Sequence, residues 1–166
     1  MRIRESTGDD IAGIVAMYPR AFPDEDLLPV VTALLDDPPM RTSLVATIDQ
    51  EIVGNVIFTI CDVNGSDARV ALLAPLAVAP DNQRQGIGSA LVKHGLQQLK
   101  NAGFALVCVL GDPAYYSRLG FVPERNVKPP YPLPPEWADA WQSQRLDEPM
   151  ACTGPLVVPA QWQHAE

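Results

Sequence analysis

The stretch "LAVAPDNQRQGIGSALV", Leu76 to Val92, begins as an apolar strand and ends as an amphipathic helix. Between the two lie Gln83, Arg84, Gln85, Gly86, Ile87 and Gly88, which puts two glycines, one residue apart, where the helix should start. Glycine weakens a helix by about 1 kcal/mol relative to alanine, so the missing side chains must serve another purpose. The unpaired N–H groups of a helix start, with the macrodipole, form an anion site. Without Cβ atoms at Gly86 and Gly88 a phosphate can approach those donors. Hydrogen bonds to a charged group contribute about 1.5 to 3 kcal/mol each, so three or four amides outweigh the helix penalty. The bland alternative is a tight strand-to-helix turn that tolerates two glycines, and a bare Gly-x-Gly does not exclude it.

Outward from this point the pattern is regular. The strand spans Arg69 to Ala79 and the helix Gln85 to Ala102, with a buried stripe of Leu91, Val92, Leu96, Leu99 and Ala102. Gly103 is placed as a left-handed stop. Phe104 to Leu110 is almost uniformly apolar, as a strand covered on both faces should be. Strand, helix and strand make a β-α-β unit. Upstream, Met1 to Glu5 alternates as a short strand, Ser6 or Thr7 can cap a helix through Ile11, Ile14, Val15 and Tyr18, and a second helix covers Asp26 to Leu35. Thr42 to Ile48 and Glu51 to Cys61 read as a hairpin around Asp49-Gln50. Asn64-Gly65 is a further turn signal. From Pro123 to Glu166 prolines crowd, interleaved with Tyr131, Trp137 and Trp141, which predicts an ordered segment packed back on the domain. Trp141 to Leu146 and Leu156 to Val158 are the last strands expected.

The 166 residues suit one domain, 1–166, with a proper core. A hydrophobic content of 47%, without a run near the roughly 18 to 20 apolar residues of a membrane span, predicts a globular chain away from the membrane. No signal-peptide core follows Met1. Cys61, Cys108 and Cys152 form no Cys-x-x-Cys pair, so neither a disulfide framework nor a metal site is expected and the cytoplasm is the default. A formal charge of −8 argues against nucleic acid, whose affinity comes through Lys and Arg.

The context of the glycines resembles the acyl-CoA signature of the GNAT superfamily of N-acetyltransferases. An apolar strand ends in Val78-Ala79-Pro80 and is followed by Gln83-Arg84-Gln85-Gly86-Ile87-Gly88. A second match, Tyr116-Ser117-Arg118-Leu119-Gly120-Phe121, looks like the family's Tyr-x-x-x-Gly-Phe, one helix and one strand downstream. The wider string "VLGDPAYYSRLGFVP" resembles the YhbS-type members. The likeness runs through residues 1 to 125 in element order and is specific over 72 to 123. A Rossmann dinucleotide site would need a third glycine at Leu91 and an acid some twenty residues on; both are absent.

The resemblance implies an α/β (α+β) fold, a mixed, mainly antiparallel twisted sheet flanked by helices. It implies acetyl transfer from acetyl-CoA directly to an amine, without a metal. The amides of Gln85, Gly86, Ile87, Gly88 and Ser89 would wrap the pyrophosphate, with Arg84 screening charge and Gln83 hydrogen-bonding. The pantetheine arm would pair with the backbone of Leu76, Ala77 and Val78. Pro75 supports that geometry, because prolines inside sheets sit at edges, strand starts or bulges, and a bulge would splay this strand from Phe104–Leu110. Tyr116 matches the family's general acid for the departing thiolate. Tyr115 beside it is read as packing, and with Gly111 and Asp112 it completes the residues expected along the coenzyme. Arg69 to Ala79 carries no carboxylate to act as base; Glu51, Asp62 and the Asp24-Glu25-Asp26 cluster are the acids elsewhere, and His94 reads as structural. The partners implied are an acyl-CoA and an amine acceptor, with a homodimer left open. An acyl-CoA-binding or regulatory module without turnover is the alternative class. A partner-binding protein reusing the fold would show no coenzyme A affinity at all.

Overall fold

The computed structural model describes residues 1–63, 66–146 and 153–165; the Asn64-Gly65 turn and Cys152 lie outside them. The chain forms two compact units. The first comprises Met1–Thr59, Ala74–Gly95 and Pro159–Glu166, the second Ile60–Leu73 and Leu96–Val158.

In the first unit, β1 (Arg2–Glu5) pairs antiparallel with β2 (Arg41–Ile48), and β2 with β3 (Glu51–Val63) as far as Thr59. The β2–β3 turn is the two-residue one expected: Asp49 and Gln50 both have positive φ, +50° and +69°, the backbone that matches the twist of a hairpin. Helices α1 (Ile11–Ala21) and α2 (Leu28–Leu35) cover this sheet. α2 starts two residues later than predicted because Pro29 fits its first turn, where a missing N–H costs nothing. Ile14, Met17, Tyr18, Val30, Val31, Leu34, Val45 and Ile57 are buried together. Inside this apolar core Asn55, fully buried, donates to Ser43 Oγ (3.1 Å) and Leu44 O (2.9 Å) and accepts from Tyr18 Oη (2.7 Å). A buried amide left unpaired would be costly; here three bonds satisfy it.

Strand β4 (Val70–Val78) and helix α3 (Ile87–Asn101) run through both units. In the second unit β4 pairs in parallel with β5 (Leu106–Leu110) over Val70–Leu72, and β5 pairs antiparallel along its whole length with β8 (Trp141–Arg145). A short helix α4 (Pro113–Tyr116) follows β5. The small strands β6 (Val122–Pro123), β7 (Val127–Lys128) and β9 (Gly154–Val157) complete the unit, β6 on β8 and β9 on β7 and the end of β3. The sheet is thus mixed and mainly antiparallel, with a central β-α-β unit of β4, α3 and β5. Gly103 stops α3 at φ +87°, as predicted. Ala102 does not join the stripe of α3: it lies past the last helical residue and is exposed.

The proline-rich segment divides. Trp141 is buried and its Nε1 donates to Val127 O at 2.8 Å, whereas Tyr131 is only half-buried. Trp137, expected to pack, is 52% exposed; it sits in a 3-10 turn, Pro135–Ala140, that turns its ring to the surface.

Candidate active site

The predicted residues fall into two groups, each within one unit. In the first unit β4 ends with Leu76, Ala77 and Val78, alternately half-buried and buried, and Ala79 N–H bonds to Val53 O at 2.8 Å. Pro75 is buried and follows a cis bond from Ala74. The β4–β5 ladder stops at Leu72–Cys108, before Pro75, which agrees with a proline that cannot donate to a neighbour. The Gln83 side chain is committed to its own loop: Nε2 donates to Val78 O at 3.0 Å. It therefore ties the loop to the strand end.

The loop then turns through two left-handed residues, Arg84 at φ +64° and Gly86 at φ +83°. Alternating backbone of this kind gathers N–H groups into an anion-binding concavity. No heavy atom stands within 4 Å of where a Gly86 Cβ would be, so glycine is there for its φ and not for space inside the fold. Ile87 and Gly88 open α3, and Ala90 N–H closes on Gly86 O at 3.0 Å. Gln85 is exposed and Ser89 half-buried.

Two further glycines set the approach of α3 to β3, and sequence reading missed both. A Cβ on Gly54 would lie 2.9 Å from Leu91 Cδ1 and 3.1 Å from Ile87 Cγ2, and one on Gly95 would enter the Phe58 ring. A glycine inside an otherwise β-branched strand was the available signal.

In the second unit Asp112 caps α4, its Oδ1 accepting from Ala114 N–H at 2.9 Å. The cap fixes the Asp112 carboxylate at the start of α4. Gly120 at φ +95° reverses the chain, and Phe121 N–H returns to Tyr116 O at 3.1 Å. The Tyr-x-x-x-Gly-Phe pattern is thereby a closed turn that lays Phe121 edge-on against Tyr116, centroids 5.6 Å apart. Tyr115 meets Tyr116 on another side at 4.9 Å. Burial, with a smaller contribution from Tyr115, pushes the Tyr116 phenol up to about 12. It remains a proton-bearing donor throughout the working range of an enzyme.

Of the acids considered as bases, Glu51 and Asp62 are exposed, and so is His94. Asp24, Glu25 and Asp26 line a cleft of about 300 Å³ in the first unit with Tyr18, Phe22 and Leu27. Among the described residues no cluster of His, Cys, Asp and Glu could hold a metal, and no helix is long and apolar enough to cross a membrane.

A strand that ends in a left-handed loop opening a helix, followed one helix and one strand later by a closed Tyr-x-x-x-Gly-Phe turn, is the arrangement that the resemblance to N-acetyltransferases led us to expect. The chain belongs to the acetyltransferase (GNAT) family, whose model matches residues 11–121. It is 35% identical over 153 residues to the uncharacterised N-acetyltransferase YjhQ of Escherichia coli K12, covering 87% of this chain and 84% of that one. The crystal structure of YhbS from Escherichia coli, in complex with CoA, superposes with a TM-score of 0.88 at 33% identity, over 98% of this chain and 91% of that one. A GNAT acetyltransferase from Brucella melitensis, in complex with acetyl-CoA, gives 0.80 at 27% identity over 97% of each chain. The protein is accordingly an acyltransferase.

Proposed function

We propose that this single catalytic domain, residues 1–166, transfers an acetyl group from acetyl-CoA directly to a primary amine in the cytoplasm. The observation that carries the reading is the pair of left-handed residues, Arg84 and Gly86, at the entrance of α3. Their backbone, with the amides of residues 85–89, receives the pyrophosphate, and the β4 backbone at Leu76–Val78 pairs with the pantetheine arm. The solved relatives named for their CoA and acetyl-CoA complexes support this donor. The neutral amine nitrogen attacks the thioester carbonyl carbon, the new C–N bond forms as C–S breaks, the nitrogen releases its surplus proton to solvent, and the sulfur leaves as a thiolate.

Tyr116 donates a hydrogen bond to that thiolate. With the phenol at about 12 and a thiol near 8.5, complete proton transfer to sulfur is uphill by about 5 kcal/mol. The phenol therefore stabilises the leaving group as a strong hydrogen bond, and solvent supplies the proton afterwards. Cys61 and Cys108, both buried, take no part; the Cys61 thiol is pushed up to about 12 by burial, and a thiol that hard to ionise is a poor nucleophile.

The test joins binding to turnover. Gly88→Val should weaken acetyl-CoA binding at least tenfold by calorimetry while the circular dichroism spectrum stays unchanged. Time-dependent release of free thiol from acetyl-CoA with a panel of primary amines should show turnover. Undiminished affinity in the variant sinks the phosphate loop; binding without turnover by any amine sinks the transferase reading.

A further inference from the structure

The Tyr116 ring lies against bare backbone. A Cβ on Gly111, the first residue after β5, would clash with Tyr116 Cε2 and stand 2.9 Å from Cδ2. These are atoms of a ring already bounded by Tyr115 and Phe121, at interplanar angles of 87° and 72°, so it cannot simply swing aside. Gly111 is not among the residues of positive φ, and an alanine backbone would suit its position. Space for the ring is what requires glycine there.

Gly111 is itself held from two directions. Its N–H donates to Ala140 O at 3.0 Å, and its carbonyl accepts from Gln142 Nε2 at 3.3 Å. Gln142 is 1% exposed and stands on β8, in the ladder whose last pair is Leu110–Trp141. A glutamine in such a place is tolerated when its amide is bonded, and one of its bonds is the one that fixes Gly111.

We propose that Gly111 is a positioning residue: its missing Cβ, anchored by Gln142 and the β5–β8 ladder, forms the slot that sets the orientation of the Tyr116 phenol. The proposal rests on Tyr116 serving the thiolate, as argued above. Gly111 acts on the reaction through Tyr116 and nothing else.

The experiment separates the slot from that role. In protein labelled at the tyrosine ε carbons, the Tyr116 resonance is the one lost in Tyr116→Phe. Gly111→Ala should shift that resonance and lower its titration midpoint by at least one pH unit, leaving Tyr18 unmoved. Gln142→Met, which removes the donor and keeps the chain length, should shift it in the same direction, and it carries the test if Gly111→Ala does not fold. An unmoved Tyr116 resonance overturns the proposal. In thiol release from acetyl-CoA with the fastest amine of the panel, Gly111→Ala should lower kcat at least tenfold, and the loss should vanish in a Tyr116→Phe background. Additive losses would show that Gly111 works independently of the phenol and would also overturn it. Full kcat in Tyr116→Phe alone removes the catalytic reading of Tyr116, and the resonance then decides the slot by itself.

Discussion

Tyr116 and Tyr115 are adjacent in the turn they open, and the Tyr116 ring packs between Tyr115 and Phe121. Removing one preorganised hydrogen-bond donor to a developing anion costs about 10² to 10³ in kcat, so Tyr116→Phe, which keeps the ring between Tyr115 and Phe121, should lower kcat within that range and leave acetyl-CoA affinity near its original value. Tyr115→Phe should do much less, and steady-state kinetics of the two variants decides between them. The raised phenol also fixes a pH signature: the neutral donor persists until about pH 12, so Tyr116 should produce no alkaline limb in kcat below about pH 11. Asp10 behaves in the opposite sense. The Arg4 guanidinium grips it through two bonds of 2.7 and 2.9 Å, and Thr7 N–H adds a third, holding its carboxyl down at about 2. A carboxyl lowered by folding contributes stability above its unfolded value near 4, and that stability is lost as pH falls through 2. Asp10→Asn should cost about 1 to 3 kcal/mol at pH 7 and lose that difference by pH 2, as read by urea unfolding.

Among the elements, α3 shows how two opposing magnitudes resolve. Alanine is favoured over glycine inside a helix by about 1 kcal/mol, which would make Gly95→Ala stabilising on propensity alone. The added methyl would enter the Phe58 ring, however, and overpacking of a well-filled core costs about 1 to 3 kcal/mol. The ring is fully buried on β3 and has nowhere to retreat. Overpacking wins. Gly95→Ala should therefore lower the thermal midpoint, and restoring room with Phe58→Leu in the same chain should recover part of the loss.

At the scale of the whole chain, the proline-rich segment is structural in each unit it enters. β8 supplies all five antiparallel partners of β5, and Trp162 donates from Nε1 to Thr59 Oγ1 at 3.0 Å while Gln161 bonds Asp37 at 2.8 Å. Truncation after Val127 strips one whole side of β5, a strand of buried Leu106, Val107, Cys108 and Val109. The shortened chain should fail to unfold cooperatively on heating. Truncation after Val158 removes only the contacts of the last residues and should lower the midpoint by several degrees with the cooperative transition retained. Equal stability of the full and the 127-residue chains would show the segment to be an appendage.

The local signals were legible in the residues themselves. Alternation and helical spacing located β1 to β5 and α1 to α3 because burial of one face imposes a period on the sequence, and Asp49-Gln50 and Gly103 marked their turns because backbone chemistry there is local. The Gly86 and Tyr116 motifs were legible for the same reason: each is a run of adjacent residues whose conformation is set by neighbours in the chain. Tertiary structure alone decided the rest. It placed the Asn55 amide in an apolar core, because its three partners come from α1 and β2. It turned Trp141 inward and Trp137 outward, though both stand among prolines, because only Trp141 lies on a strand with a ladder to join. And it made Gly54 and Gly95 indispensable, because what forbids a side chain at each is a distant residue brought near by folding, which no local pattern records.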